Sequence, residues 1–328
     1  SPTRRSSDLG KSVVPLISGW ACAIPAIMAT RTIENWKDRL ITIFVTPLMS
    51  CSARLPVFAI LVALIIPEGT WLGFFNLQGL ALMGLYLLGF TAAILSAIVM
   101  KWIVKANERS FLIMELPTYR MPKWSNVGYT IVEKTKTFVF EAGKVILAIS
   151  IVLWWLASYG PSDSMNGVDA QVSQEISEGK ITEAERENQT MAYKLERSYA
   201  GIIGKSIEPI ISPLGYDWKI GIALITSFAA REVFVGTIAT IYSVGNTEDQ
   251  TTIKSRLKAE KNPETGGPRF TFATGLSLLI FYTFAMQCMS TLAIVKRETK
   301  GWKWPMLQLT YMTLLAYTSA LLVYQVLS

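Results

Sequence analysis

Cys22, Cys51 and Cys288 are the three cysteines of the chain, and each lies within or at the end of an apolar stretch. The first stands in Gly19-Trp20-Ala21-Cys22-Ala23-Ile24-Pro25, running on to Thr30-Arg31-Thr32. The second stands in Pro47-Leu48-Met49-Ser50-Cys51-Ser52-Ala53-Arg54-Leu55-Pro56. A thiol is a soft metal ligand. Proline removes a backbone N–H and interrupts a helix, so that carbonyls can face a passing ion. The runs Met49-Ser50-Cys51-Ser52 and Met286-Gln287-Cys288-Met289-Ser290 each offer thiol, thioether and hydroxyl within about one helical turn. Such a mixed set can hold a borderline divalent ion and still release it. Thiols suit zinc or copper(I) equally well, so the donors alone do not name the metal. There is no histidine, which removes the commonest imidazole ligand. An isolated free cysteine is often only a small buried hydrophobe. The donors crowded around Cys22, Cys51, Cys288 and Met49 are what mark these four as metal candidates.

Charges inside apolar runs are the second signal, because an ionised side chain in hydrocarbon is costly and needs a partner or a water-filled cavity. Arg54 sits at the centre of the Cys51 motif, and Arg231-Glu232 interrupts the run from Ile220 to Ile241. Adjacent residues on a helix face different ways, so Arg231 and Glu232 are expected to serve different partners. Glu232 reads as a metal or proton ligand as readily as a structural ion pair. No nucleophile–base pair, zinc-hydrolase motif or glycine-rich nucleotide loop is found. Gly10-Lys11-Ser12 has Arg5 where a phosphate-binding loop needs glycine. The chain is not read as an enzyme.

The elements that must carry these residues are membrane helices. Of 328 residues, 51% are hydrophobic, and they fall in blocks at about 12–30, 40–66, 79–104, 138–158, 218–244, 271–295 and 305–327. Blocks of about twenty match a hydrocarbon layer roughly 30 Å thick. The fold class is therefore all-α: a polytopic helical membrane protein with about seven apolar segments, some broken or re-entrant. The net charge of +7 comes from Lys and Arg in short connections, which is a membrane-surface pattern and excludes nucleic acid as partner. Three thiols in apolar settings read as free.

Residues 1–9 resemble neither a signal peptide nor a membrane flank and are expected to be a non-native leader. The organisation expected is a first half over 10–137, with an amphipathic surface segment from 105, and a second half over 138–328. Hydrophilic insertions at 159–217 and 245–270 interrupt the second half. Residues 161–199 carry eight acids against four bases and are expected to hold a helix from about 181 to 197. Simple alternation of seven blocks puts loops 31–39, 101–137 and 245–270, with 15 Lys and Arg, on the cytoplasmic face. Loops 67–79, 159–217 and 296–304, with nine, then lie opposite. A shift of 266 aligns Cys22, Arg31, Trp36 and Lys37 with Cys288, Arg297, Trp302 and Lys303, the mark of an internal repeat.

Five segments in order resemble the membrane domain of the ferrous iron transport protein B family. They are Cys22-Ala-Ile-Pro25-Ala-Ile-Met-Ala29-Thr30-Arg31-Thr32; Met49 to Pro56; Glu115-Leu116-Pro117-x-Tyr119-x-Met121-Pro122; Glu208-Pro209 through Gly215 to Ala230-Arg231-Glu232-Val233-x-Val235-Gly236; and Cys288-x-x-Thr291-x-Ala293 leading to Arg297-Glu298. The resemblance implies two gate-type repeats and uptake of Fe2+ as the transported ion across the bacterial inner membrane. It also implies iron contact at Cys22 and Cys51, with Cys288 contributing from the second repeat. Pro25, Arg31, Ser52, Arg54 and Arg231 are then the expected transport and gating residues. Arg231 stands where the family usually has lysine, and Ala23 where an asparagine follows the first thiol. The family also has an amino-terminal G domain, through which GTP acts, and no such motif occurs in these residues. Expected partners are the lipid bilayer, that G domain, small accessory iron-transport proteins and further copies of the chain. A nucleoside or other solute permease, and a non-transporting membrane sensor or assembly subunit, are the competing readings.

Overall fold

The computed structural model describes residues 14–33, 35–67, 69–71, 75–104, 123–161, 168, 172–174, 186–228, 231, 233–241, 270–286 and 288–328. Helices dominate it. A short helix over 14–19 is followed by α1 (Ala23–Ala29), α2 (Trp36–Val45), α3 (Leu55–Ile65), α4 (Leu77–Val104) and α5 (Trp124–Ser158). The later helices are α6 (Arg186–Arg197), α7 (Tyr199–Ile211), α8 (Trp218–Ser227), α9 (Val233–Ile241), α10 (Phe272–Phe284), α11 (Met289–Thr299) and α12 (Lys303–Leu327). Among the described residues, the one sheet is a minimal antiparallel pair, β1 (Thr70–Trp71) and β2 (Phe75–Asn76), with Thr70 opposite Asn76. Four stretches among the described residues are long and apolar enough to cross a membrane: Trp36–Ile65, Leu77–Val104, Phe272–Thr299 and Lys303–Leu327.

Two of these four are discontinuous. At about 1.5 Å per residue, α2 and α3 each reach about 15 Å, half a hydrocarbon layer, and so does α11. Between α2 and α3 the chain passes through 3-10 turns at Thr46–Leu48 and Ser52–Arg54, with Met49 extended and Ser50 and Cys51 outside any helix between them. Pro47 and Pro56 explain the interruption, since neither can donate a helical hydrogen bond. Between α10 and α11, Ala285, Met286 and Cys288 leave the helix. Polar caps set other helix starts. Asn35 accepts from the Lys37 amide, Ser198 from Gly201 and Asp217 from Ile220.

The chain divides into two compact units. The first comprises residues 1–52, 90–148 and 290–308, and the second 53–89, 149–289 and 309–328. In the first unit, Ile24 and Ile27 of α1 pack with Ile43 of α2 and with Ile294 and Val295 of α11. Gln308 donates to the Ile43 carbonyl, and Phe44 meets Trp304 edge-on at 5.9 Å. The core of the second unit gathers Val57, Phe58 and Leu61 of α3, Ile220 and Ile222 of α8, Phe234 of α9 and Leu278 and Tyr282 of α10. Inside it the Tyr216 hydroxyl meets Ser277, which donates to the Ala320 carbonyl.

Several expectations change. The apolar block 218–244 is not a single crossing: the hydroxyls of Thr226 and Thr237 lie 2.9 Å apart, so α8 and α9 double back. Eleven residues of straight helix would separate them by about 16 Å. Losing one crossing shifts every later connection to the other face, and alternation fails. Loops 31–39 and 296–304, assigned to opposite faces, sit at one end of the first unit, where Arg31 and Arg39 both pair with Glu298. The described part of the surface segment is no separate element either. Residues 124–137 open the 35-residue helix α5, with no proline to stop it. In 159–217, Ala200, Ile211, Leu214 and Tyr216 are buried in the second unit's core. The helix expected over 181–197 is described from Arg186 and ends at Arg197. The segment Glu115 to Pro122, residues 245–269 and Glu232 lie outside the described residues.

The turn after α7 has the strictest backbone demand. Gly215 adopts φ 77°, and a Cβ there would run into the Tyr324 ring. Gly215→Ala is expected to cost about 2 kcal/mol or more, from the left-handed conformation plus the overlap. A lowered melting temperature in detergent, with helicity unchanged, checks it.

Candidate functional site

The first unit brings two of the cysteine motifs onto one another. The chain turns over Ile17 to Cys22, where the Ala21 and Cys22 amides both donate to the Ser18 carbonyl, and Cys22 then caps α1 in an extended conformation. Against this turn lies the break between α2 and α3. The Ser52 amide donates to the Trp20 carbonyl at 3.1 Å, and its hydroxyl donates to the Ala21 carbonyl at 2.9 Å. Cys51 and Cys22 are the chain neighbours of these bonded residues, so their thiols ride on abutting backbone, and both are half-buried. Met49 is buried against the same turn, where a Cβ added to Gly19 would come within 3.7 Å of its own Cβ. Pro25 is exposed in the first turn of α1, a position where its missing N–H costs nothing. Among the described residues no three Cys, Asp or Glu side chains gather as a metal cage.

In the second unit, Arg54 and Arg231 converge. Arg54 is fully buried at the end of the break before α3, and Arg231 is buried between α8 and α9. Both donate to one acceptor, the Ala285 carbonyl in the break between α10 and α11, at 3.5 and 3.4 Å. The same break is tied a second way, through the Met289 amide and the Phe228 carbonyl at 3.2 Å. Cys288 sits in this break, half-buried, one residue before α11. Each guanidinium does what a bilayer requires of an interrupted helix, supplying a donor to a carbonyl that the helix no longer satisfies.

Arg31 is partnered by an acid of α11. It forks onto Glu298, with Nε at 3.0 and 3.1 Å from the two carboxylate oxygens and Nη2 at 2.5 Å. Arg39 takes the second oxygen at 2.5 Å. The Glu298 side chain is only 3% exposed, against 44% for Arg31. Its hydrogen bonds hold Arg31 above the ordinary arginine pKa, with desolvation pulling down and the carboxylate charge adding to the rise. Glu298 and Arg39 were not singled out from sequence as site residues. The signal was there: Glu298 continues the buried face of α11 set by Thr291, Ile294 and Val295, and an acid on such a face needs a cation.

Interrupted half-length helices, a doubled-back α8–α9 pair and thiols in the breaks define a polytopic membrane protein of the gate type, multi-pass and, in a bacterium, of the inner membrane. The family described as nucleoside recognition, Gate, matches residues 4–65 and 139–302, and the ferrous iron transport protein B C terminus matches 82–134. The chain belongs to the ferrous iron transport protein B family and corresponds to its C-terminal membrane part. It is 45% identical to the Fe(2+) transporter FeoB of Leptospira interrogans over 97% of its own length and 43% of the relative's. It is 33% identical to that of Methanocaldococcus jannaschii, covering 96% and 41%. A fusion of Fe(2+) transport protein A with FeoB from Porphyromonas gingivalis is 36% identical, covering 97% and 38%. The chain thus spans less than half the length of these relatives. No solved structure matches it.

Removing the shared carboxylate tests the packing of the first unit. Glu298→Ala leaves the largely buried Arg39 guanidinium without its acid and is expected to cost about 3 kcal/mol. Glu298→Gln, which keeps an acceptor, is expected to cost less. Thermal unfolding of both variants in detergent checks the order.

Proposed function

We propose that this chain forms the ion-conducting part of a ferrous iron transporter, with Cys22 and Cys51 contacting Fe(II) during passage. The observation that carries the reading is the pair of bonds from Ser52 to the Trp20 and Ala21 carbonyls, which seat the two thiol-bearing segments together at a helix break. Half-length helices beside it bring such a break to about the middle of a hydrocarbon layer. Two thiolates with the Met49 thioether and water bind a borderline divalent ion without caging it, as transit requires. Cys288 offers a third thiol at the other break. Arg54 and Arg231 set a positive field around Ala285 that keeps a cation from resting there, and Glu232 is the candidate acid for ligation or proton exchange. The relatives' names supply the cargo, Fe(2+). GTP acts on the path only through the family's G domain. The fused Porphyromonas gingivalis relative favours a small transport-protein-A-type partner.

A nucleoside permease is the second reading, favoured by the Gate family's description. Anaerobic Fe(II) influx into proteoliposomes separates them, using this chain within a full-length family protein. Cys22→Ser/Cys51→Ser is expected to lower influx by at least about tenfold, with labelled nucleoside excluded throughout. Undiminished influx in the double variant overturns the role of the thiols, and nucleoside uptake without iron uptake overturns the cargo.

A further inference from the structure

The first unit has a basic, tryptophan-bearing rim that the transport reading leaves unused. At one end of this unit α1 and α11 arrive, while α2 and α12 depart, and the Glu298 ion pairs hold the two turns side by side. Three of the four candidate membrane spans have an end here, at Trp36, Thr299 and Lys303. The rim is therefore a membrane–water boundary. Glu298 is consumed by Arg31 and Arg39, and Lys296, Lys300 and Lys303 stand exposed around it.

The lysines are arranged against tryptophans. Lys296 Nζ lies 4.1 Å from the centre of the Trp302 ring, Lys303 Nζ is 5.8 Å from Trp304, and Arg39 is 5.7 Å from Trp36. Trp302 and Trp36 are 57% and 44% exposed. Indole rings favour the headgroup level of a bilayer, and a cation held over a ring face keeps its outward side for an anion. Lys300 adds a telling detail. It holds φ 55°, a conformation glycine takes far more readily than lysine, in the turn closed by the Gly301 amide on the Lys296 carbonyl. A charged side chain thus stands where the backbone alone favours none.

We propose that this rim binds the phosphate headgroups of anionic phospholipids, with Lys296, Lys300 and Lys303 as the contacting cations. Basic residues at the bilayer surface attract anionic lipid by short-range, salt-screened electrostatics. The surface is independent of which solute the protein carries.

The test is lipid preference measured by native mass spectrometry and melting temperature. The protein is placed in nanodiscs of phosphatidylcholine with and without phosphatidylglycerol. The wild type is expected to retain phosphatidylglycerol preferentially and to melt higher in its presence, both effects fading in high salt. Removing a lysine is expected to weaken the preference by about fivefold, most clearly in Lys296→Gln/Lys300→Gly/Lys303→Gln. Lys300→Gly alone relieves the backbone, so it is expected to lose preference while melting no lower in neutral detergent. That combination is not what a misfolded variant shows. Lys205→Gln, a lysine paired with Glu196 in the second unit, is the control and is expected to keep the preference. Equal loss in the control, no preference in the wild type, or an acidic polypeptide binding the rim while the two disc types behave alike would each overturn the proposal.

Discussion

Hydrocarbon cannot hydrogen-bond a peptide group, and every interruption of these helices has to answer for the carbonyls and amides it frees. The second unit answers with two buried guanidiniums on one oxygen. Arg54, from the end of one break, and Arg231, from the tip of the doubled-back α8–α9 pair, both reach the Ala285 carbonyl in a third. The Met289 amide then closes on the Phe228 carbonyl. The first unit solves the same problem without charge, since Ser52 satisfies the Trp20 and Ala21 carbonyls. In each case one interrupted segment is completed by another. A break stabilised in this way is a fixed feature of the fold, and the cysteines beside it are held in defined positions.

Charge is used sparingly and locally. Buried arginine is costly in an apolar setting, and Arg54 and Arg231 both donate to the Ala285 carbonyl. Glu298 shows the paired version: one carboxylate, almost wholly buried, takes two guanidiniums and locks the α1–α2 turn to the end of α11. Its neighbours on α11, Ile294 and Val295, pack on Ile24, Ile27 and Ile43, so apolar burial and the ion pair act on the same helices. The two stretches aligned by the 266-residue shift run the same way here. α1 and α11 lead into the shared rim and α2 and α12 lead out of it. Locally, these two turns behave as parallel copies, not inverted ones.

The sequence disclosed the interruptions better than the paths between them. Pro47 and Pro56 around Met49 to Cys51 are local breakers, and their effect could be read without tertiary knowledge. The doubling back of 218–241 was not legible, because an apolar run of spanning length looks the same whether it crosses or returns. Only the meeting of Thr226 with Thr237 decides it. Once one crossing was miscounted, charge counts over loops could not recover the faces. At the site, types and spacing exposed Cys22, Cys51 and Arg54 as unusual. They could not show that Arg54 and Arg231 share an acceptor, because that contact joins residues 177 positions apart through a third segment. Arg31 and Glu298 each stand in a recognisable motif, but their pairing joins positions 267 residues apart and no local pattern announces it.

The central claim is that the breaks present thiols to a divalent iron ion. X-ray absorption at the iron edge, on anaerobic Fe(II)-loaded protein, reads the donor atoms directly. Sulfur scatterers at about 2.3 Å, the usual length of a metal–thiolate bond, are expected in the wild type and should vanish when Cys22 and Cys51 are both serine. An oxygen-only shell around iron in the wild type would contradict the account.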